Sequence, residues 1–205
     1  MILNAIEELD IKGHLTISKL FPNGEEEIVF DDHNIIVSGM GVGLTHLFAL
    51  SGSGSVLDYQ IDRFQLGLSG GANLESSTTY QLSGPLTSLS EYVGANNNSN
   101  ILVASGYQIK NNSVVNTPVW YGMIPAHNIT RIDNTTVRYT IVIDQNACND
   151  LNRNNVAVYL SEIGLFIKNI KNNNPAAPIL AAYRYFTEIR KTSDFALIFR
   201  WSISF

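Results

Sequence analysis

The sequence predicts an all-β fold: an antiparallel β-sandwich of jelly-roll or related type, with one short helix near residues 39–50. Three observations predict it. First, apolar and polar residues alternate with period two in several runs, most plainly in the closing KTSDFALIFRWSISF. There Phe195, Leu197, Phe199, Trp201, Ile203 and Phe205 share one side of an extended chain, which is the pattern of a strand with one buried face. Second, asparagine is abundant at 22 of 205 residues and gathers with Ser, Thr and Gly between the patterned runs, as turn and loop residues do. Third, no strand pattern alternates regularly with helices, which argues against a βαβ architecture.

The elements follow in order. In DIKGHLTISKLF, Ile11, Leu15 and Ile17 alternate with polar residues, and Pro22, Asn23 and Gly24 then supply turn chemistry. EIVFDDHNIIV returns, so residues 9–38 read as a β-hairpin. SGMGVGLTHLFAL places Met40, Leu44, Leu47 and Phe48 on one helical face, with Ser38 as a cap and Gly41 and Gly43 weakening the first turn. IDRFQLGLSGG is a strand running into a glycine turn. From 72 to 118 the pattern dissolves into a loop-rich elaboration of a single 1–205 domain. A structureless loop that long is uncommon, so short strands are expected inside it.

Patterning returns in PVWYGMIPA and in TVRYTIVIDQ, where Val137, Tyr139, Ile141 and Ile143 form one face. In NVAVYLSEIGLFIKN the phase slips: Val156, Val158 and Leu160 are even, but Ile163, Leu165 and Ile167 are odd. A slip near Ser161–Glu162 predicts a β-bulge or a strand passing between sheets. PILAAYRYFTEI and the terminal strand complete the set. Each large apolar residue of that last strand contributes roughly 1.5–3 kcal/mol if fully buried, so Phe205 is expected to lie in the core at a sheet's end. With Ile163 and Leu165, these residues are the predicted structural core.

Composition narrows the function classes. Charged residues are 15% of the chain, against about 25% in typical domains. The net charge of −5 leaves no basic stripe to neutralise phosphates, so nucleic acid is not an expected partner. No apolar stretch is long enough to span a membrane. MILNAIEELDIKG carries acids early and lacks the basic and apolar regions of a signal peptide. Cys148 is the single cysteine, so no internal disulfide is expected. The N-x-S/T triplets at Asn97, Asn111, Asn128 and Asn134 read as accidents of an Asn-rich composition.

No motif passes its structural test for chemistry. GLSGG (Gly67 to Gly71) matches the nucleophile pattern around Ser69, but a polar loop follows where an elbow needs a helix, and His127 is the only later histidine. Gly39, Gly41 and Gly43 resemble part of a dinucleotide fingerprint, with Asp58 where a ribose-binding acid would stand, but a hairpin precedes them. His14, His33, His46 and His127 have no metal-ligand spacing. Asp31 to His33 read as a solvated bend near a strand end. Cys148 has no activating neighbour pattern. Catalytic, cofactor-binding and metal-binding residues are therefore expected to be none, and no cofactor is expected. Glu162 is the one acid in a strongly apolar run. Buried, it needs a partner, and Arg184 is the candidate for a buried ion pair, with Arg190 and Lys191 as alternatives. Turned outward by the bulge, it needs none.

Two groups of residues carry a resemblance. One is DDHNIIVSGMGVGLTHLF followed by IDRFQLGLSGG; the other is YLSEIGLFI, then LAAYRYFTEIRKT, then LIFRWSISF. Their order is similar to a group of tailed-bacteriophage virion proteins of tail fibre, baseplate and neck. In that group an Asn-containing strand and glycine segment precede a strand ending in a glycine turn, and three further strands close the chain. The matching positions are His33 to Val37, Gly67, Ser161 to Phe166, Ala181 to Phe186, Lys191, Trp201, Ile203 and Phe205. The resemblance spans roughly 26–71 and 156–205. It implies a non-enzymatic structural protein of a virion, assembled in the host cytoplasm as a homo-oligomer and docked to other virion proteins. It also implies that the three closing strands share one sheet. Residues 72–118 and the Asn-rich turns at 96–100 and 169–174 are expected contact surfaces. Trp120 and Tyr121 are candidate interface residues, because neighbours on a strand face opposite ways. The alternative is a module whose aromatics bind a host surface glycan; a hydrolase is the third reading.

Overall fold

The computed structural model describes residues 11–49, 56–68, 76–94, 97–110, 113–114, 117–168 and 177–205. β1 (Lys12–Leu20) and β2 (Glu26–Ile36) form the expected hairpin. Gly24 in its turn has φ of 85°, which glycine adopts without steric penalty. Helix α1 (Ser38–Phe48), a 3-10 turn (Val56–Tyr59) and β3 (Ile61–Gly67) follow. The stretch after β3 holds helix α2 (Leu89–Val93), β4 (Val103–Gly106), and a ribbon of β5 (Ile109–Lys110) and β6 (Ser113–Val114). Next come β7 (Val119–Met123), β8 (Ile129–Arg131) and β9 (Thr136–Ile143). A ribbon of β10 (Asn152–Arg153) and β11 (Val156–Ala157) leads to the long strands β12 (Leu160–Ile167), β13 (Ile179–Ile189) and β14 (Ala196–Ser204).

The fold is all-β and antiparallel. Ten strands make one continuous sheet in the order β4-β7-β3-β12-β13-β2-β1-β14-β9-β8. It curls at β2: Ile35 and Ile36 pair with Tyr183 and Ala182 of β13, while Glu26 to Asn34 pair with β1. The two halves thereby close on one core, in which Leu15, Phe199 and Trp201 join Phe64, Leu66, Ile163 and Leu165.

The closing strands share this sheet but do not lie side by side. β12 pairs with β13, whereas β14 sits between β1 and β9, with Trp201 flanked by Leu15 and Tyr139. The N-terminal hairpin has taken the edge of β13. Phe195, Leu197, Phe199, Trp201 and Ile203 are buried as the alternation requires, but Phe205 is 44% exposed. β1 begins opposite Ser204, so no strand residue opposes Phe205. Its N–H donates to the Thr135 carbonyl at 3.0 Å, and its ring lines the rim of a groove.

α1 is also turned from its expected face. Val37, in extended conformation, occupies the cap position, and Ser38 lies inside the helix without a capping role. Gly39 and Gly43 set the contact: a Cβ there would lie 1.9 Å from the Leu180 carbonyl oxygen and 2.2 Å from Ile167 Cδ1. The sheet therefore meets the Gly39–Met40–Gly43 side, and Phe48 is left 83% exposed. These glycines let the helix pack closely on the sheet.

The phase slip is a register irregularity between Leu160 and Glu162 in the β12–β13 ladder. β12 is buried on both faces. Ile163, Leu165 and Ile167 enter the main core, while Phe166 enters a second cluster with Leu82, Tyr121, Leu180 and Tyr183.

Candidate functional site

Glu162 is fully buried on the outer side of β12, but Arg184 is not its partner. Arg184 pairs across the ladder with Ile163, so it stands on the opposite face of β13. There its Nη2 donates to Asp32 at 2.6 Å, and its guanidinium lies 5.3 Å from the centre of the Phe30 ring. Glu162 instead accepts from the backbone N–H of Gly84 at 2.7 Å, the N–H of Ser83 at 3.0 Å and the Tyr183 hydroxyl at 2.8 Å. The carboxylate pins residues 83–86 onto the sheet, where Leu68 N–H donates to Gly84 and Leu86 N–H to Leu66.

Two glycines make the clasp possible. A Cβ on Gly67 would fall 2.3 Å from Glu162 Oε1, and one on Gly164 would fall 2.8 Å from Leu82 Cδ1. Downstream, α2 is held by a capping box that the sequence reading passed over. Ser88 accepts from Glu91 N–H, and Glu91 accepts from the N–H groups of Thr87 and Ser88 and from Arg153 at 2.9 Å. Burial alone would raise the Glu91 carboxyl, but these donors outweigh it and hold it below its ordinary value. The S-x-x-E spacing was the available signal.

Trp120 and Tyr121 are not an exposed pair. Tyr121 is buried, with its hydroxyl donating to the Tyr107 carbonyl at 3.0 Å, and Trp120 is half-buried against the main core. Tyr121 therefore has no free face for a sugar. Asp31 to His33 lie within β2 and not at a bend: Asp31 meets His14 at 3.2 Å and Thr16 at 2.9 Å. His46 stacks on Tyr59 with ring centres 5.7 Å apart, and His127 stands in an exposed turn. Among the described residues no three His, Cys, Asp or Glu converge on a metal-binding point. No helix among them is long and apolar enough to cross a membrane. Ser69, Asn111, residue 96 and the Asn-rich stretch at 169–174 lie outside the described residues.

Cys148 is buried, and burial pushes its thiol up to about 12. Lys191 is buried close by, its Nζ donating to Asn149 at 2.8 Å and to the Thr192 carbonyl at 2.7 Å. Burial lowers its ammonium from 10.5 to about 8. Between these values the unfolded chain holds more protons at this site than the folded one, so the Lys191 contribution makes stability rise with pH. The urea midpoint of the native chain relative to Lys191→Met is expected to increase from below pH 8 to above pH 10. A flat difference would refute the burial assigned to Lys191.

An apolar groove of about 420 Å³ opens at the sheet end where β14 finishes. Met40, Leu44 and Leu47 of α1 form one wall; Ile129, Val137 and Tyr139 of β8 and β9 form the other, with Phe205 on the rim. Burial pushes the Tyr139 phenol up to about 12. Among the described residues, Gln60 and the two tyrosines are the polar side chains of the lining. Such a surface can receive apolar side chains. No model of a known protein family matches the chain, and no curated protein and no solved structure matches it.

Proposed function

We propose that the chain is a non-enzymatic structural component of a tailed-bacteriophage particle, in tail, baseplate or neck. It assembles in the host cytoplasm by self-association and docks onto other virion proteins. The carrying observation is the exposed apolar surface beside the groove, where α1 and the 3-10 turn meet: Phe48 is 83% exposed, Leu57 61% and Val56 54%. Grouped exposed apolar residues are the usual mark of protein–protein contact. The resemblance adds weight of a different kind. Its positions Glu162, Gly164, Gly67 and Trp201 are clasp and core residues here, so it is a likeness of packing and not of a reactive centre.

Light scattering on the purified chain tests the reading. A multimer that grows with concentration is expected, and replacing Phe48 and Leu57 together by serine should weaken association at least about tenfold, as loss of interface anchors worth more than 1 kcal/mol requires. A strict monomer at every concentration, absent from purified particles by mass spectrometry, would overturn it.

A further inference from the structure

We propose that Asn23 is a site of spontaneous deamidation and that the β1–β2 turn governs its rate, slow while the turn is closed and faster once it opens. Of the 22 asparagines in the chain, Asn23 alone is followed by glycine. The reaction favours that neighbour, because its nucleophile is the next residue's backbone nitrogen and glycine has no Cβ to shield it. Asn23 and Gly24 are both exposed, and a Cβ built on Gly24 would meet nothing within 4 Å. Water and hydroxide therefore reach the nitrogen.

Hydroxide takes the proton from the Gly24 N–H, and the nitrogen adds to Asn23 Cγ. The Cγ–Nδ2 bond then breaks, and ammonia leaves with a proton returned by water. A five-membered imide now joins the two residues. Water opens it at either carbonyl, to aspartate or to isoaspartate. The net change is one water gained and one ammonia lost, with nothing oxidised or reduced.

Three hydrogen bonds oppose ring closure in the folded chain. The Gly24 N–H donates to the Phe21 carbonyl at 2.9 Å, which holds the proton that must leave. Asn23 Oδ1 accepts from the Glu25 N–H at 3.0 Å, and Nδ2 donates to Glu25 Oε2 at 3.3 Å. The carboxamide is thus anchored on Glu25 at both ends. The Glu25 N–H also polarises Cγ, an effect of opposite sense, but it gains nothing while the nucleophile keeps its proton. Exposed turns open locally far more often than core strands, and the reaction passes through that opening. It is one-way: a carboxylate then faces Glu25 where an amide donor stood, and isoaspartate lengthens the main chain inside the turn that fixes the hairpin register.

Peptide mapping by mass spectrometry tests the proposal on the full chain, incubated at mildly alkaline pH with and without denaturing guanidinium. In guanidinium, Asn23 is expected to convert before any other asparagine, to both aspartate and isoaspartate. In the native chain its conversion is expected to be at least about tenfold slower, the factor that two such hydrogen bonds together supply. Pro22→Ala, which frees φ at the second position of the turn, should narrow the gap between the two rates. Equal rates, a faster native rate, another asparagine reacting first in guanidinium, or a gap that Pro22→Ala leaves unmoved each overturns the proposal. None of these outcomes decides the assembly reading, which rests on Phe48, Val56 and Leu57.

Discussion

A chain lacking residues 201–205 is expected not to fold. Trp201 and Ile203 are fully buried, and large-to-small changes at such sites cost about 3–5 and 2–5 kcal/mol respectively. Together these losses rival the 5–15 kcal/mol that holds a typical domain together. The deletion also strips ladder bonds on both sides, because Trp201 to Ser204 pair with Lys12 to Leu15 and with Thr136 to Tyr139. Two interior strands would each gain an open edge. Far-ultraviolet dichroism and urea titration give the check, and a truncated chain with a cooperative transition would show that the core has been misassigned. Trp201→Ala alone should keep the fold while lowering stability by about 3–5 kcal/mol.

The second large effect is expected at Glu162. Its carboxylate accepts three hydrogen bonds from buried or part-buried donors. Glutamine offers one oxygen, and in either orientation its amide nitrogen meets a backbone N–H, that of Gly84 or that of Ser83, donor against donor. Hydrogen bonds to a charged group contribute about 1.5–3 kcal/mol each, so Glu162→Gln should destabilise the protein by about 2–5 kcal/mol. That loss reports the amide clasp, since Arg184 is engaged with Asp32. Gly67→Ala should be comparably harmful alone but milder beside Glu162→Ala, because the added methyl would occupy space the carboxylate had filled. Coupling between contacting residues typically reaches 0.5–3 kcal/mol. Strict additivity in the double-mutant cycle, or an unmoved Glu162→Gln midpoint, would sink this account.

Alternation made β1, β9 and β14 legible in the sequence, because each has one face in the core and one toward water. It served less well at β12, where both faces are covered and the polarity pattern loses its meaning. The irregularity at Leu160–Glu162 was still visible as a change of phase. Glycines were legible only as permissive residues. That Gly67 clears space for Glu162, and Gly43 for Ile167, depends on neighbours about a hundred residues away in the chain. Helix α2 escaped because five residues are too few to show a period, although its Ser88–Glu91 box was in plain view. The groove was not legible at all, since α1, the 3-10 turn, β8, β9 and Phe205 become neighbours only when the sheet curls.

The interior position of β14 also governs the order of events during synthesis. β1 leaves the ribosome well before β14, yet β14 is its partner along Lys12 to Leu20. Until residues 196–204 arrive, β1 and β9 each present an unpaired edge, a template for pairing with other chains. Closing the long stretch between Leu20 and Ala196 to join these segments is entropically slow. Nascent chains crowded on one message therefore share a period of exposure, and a chaperone that masks strand edges would act in that interval.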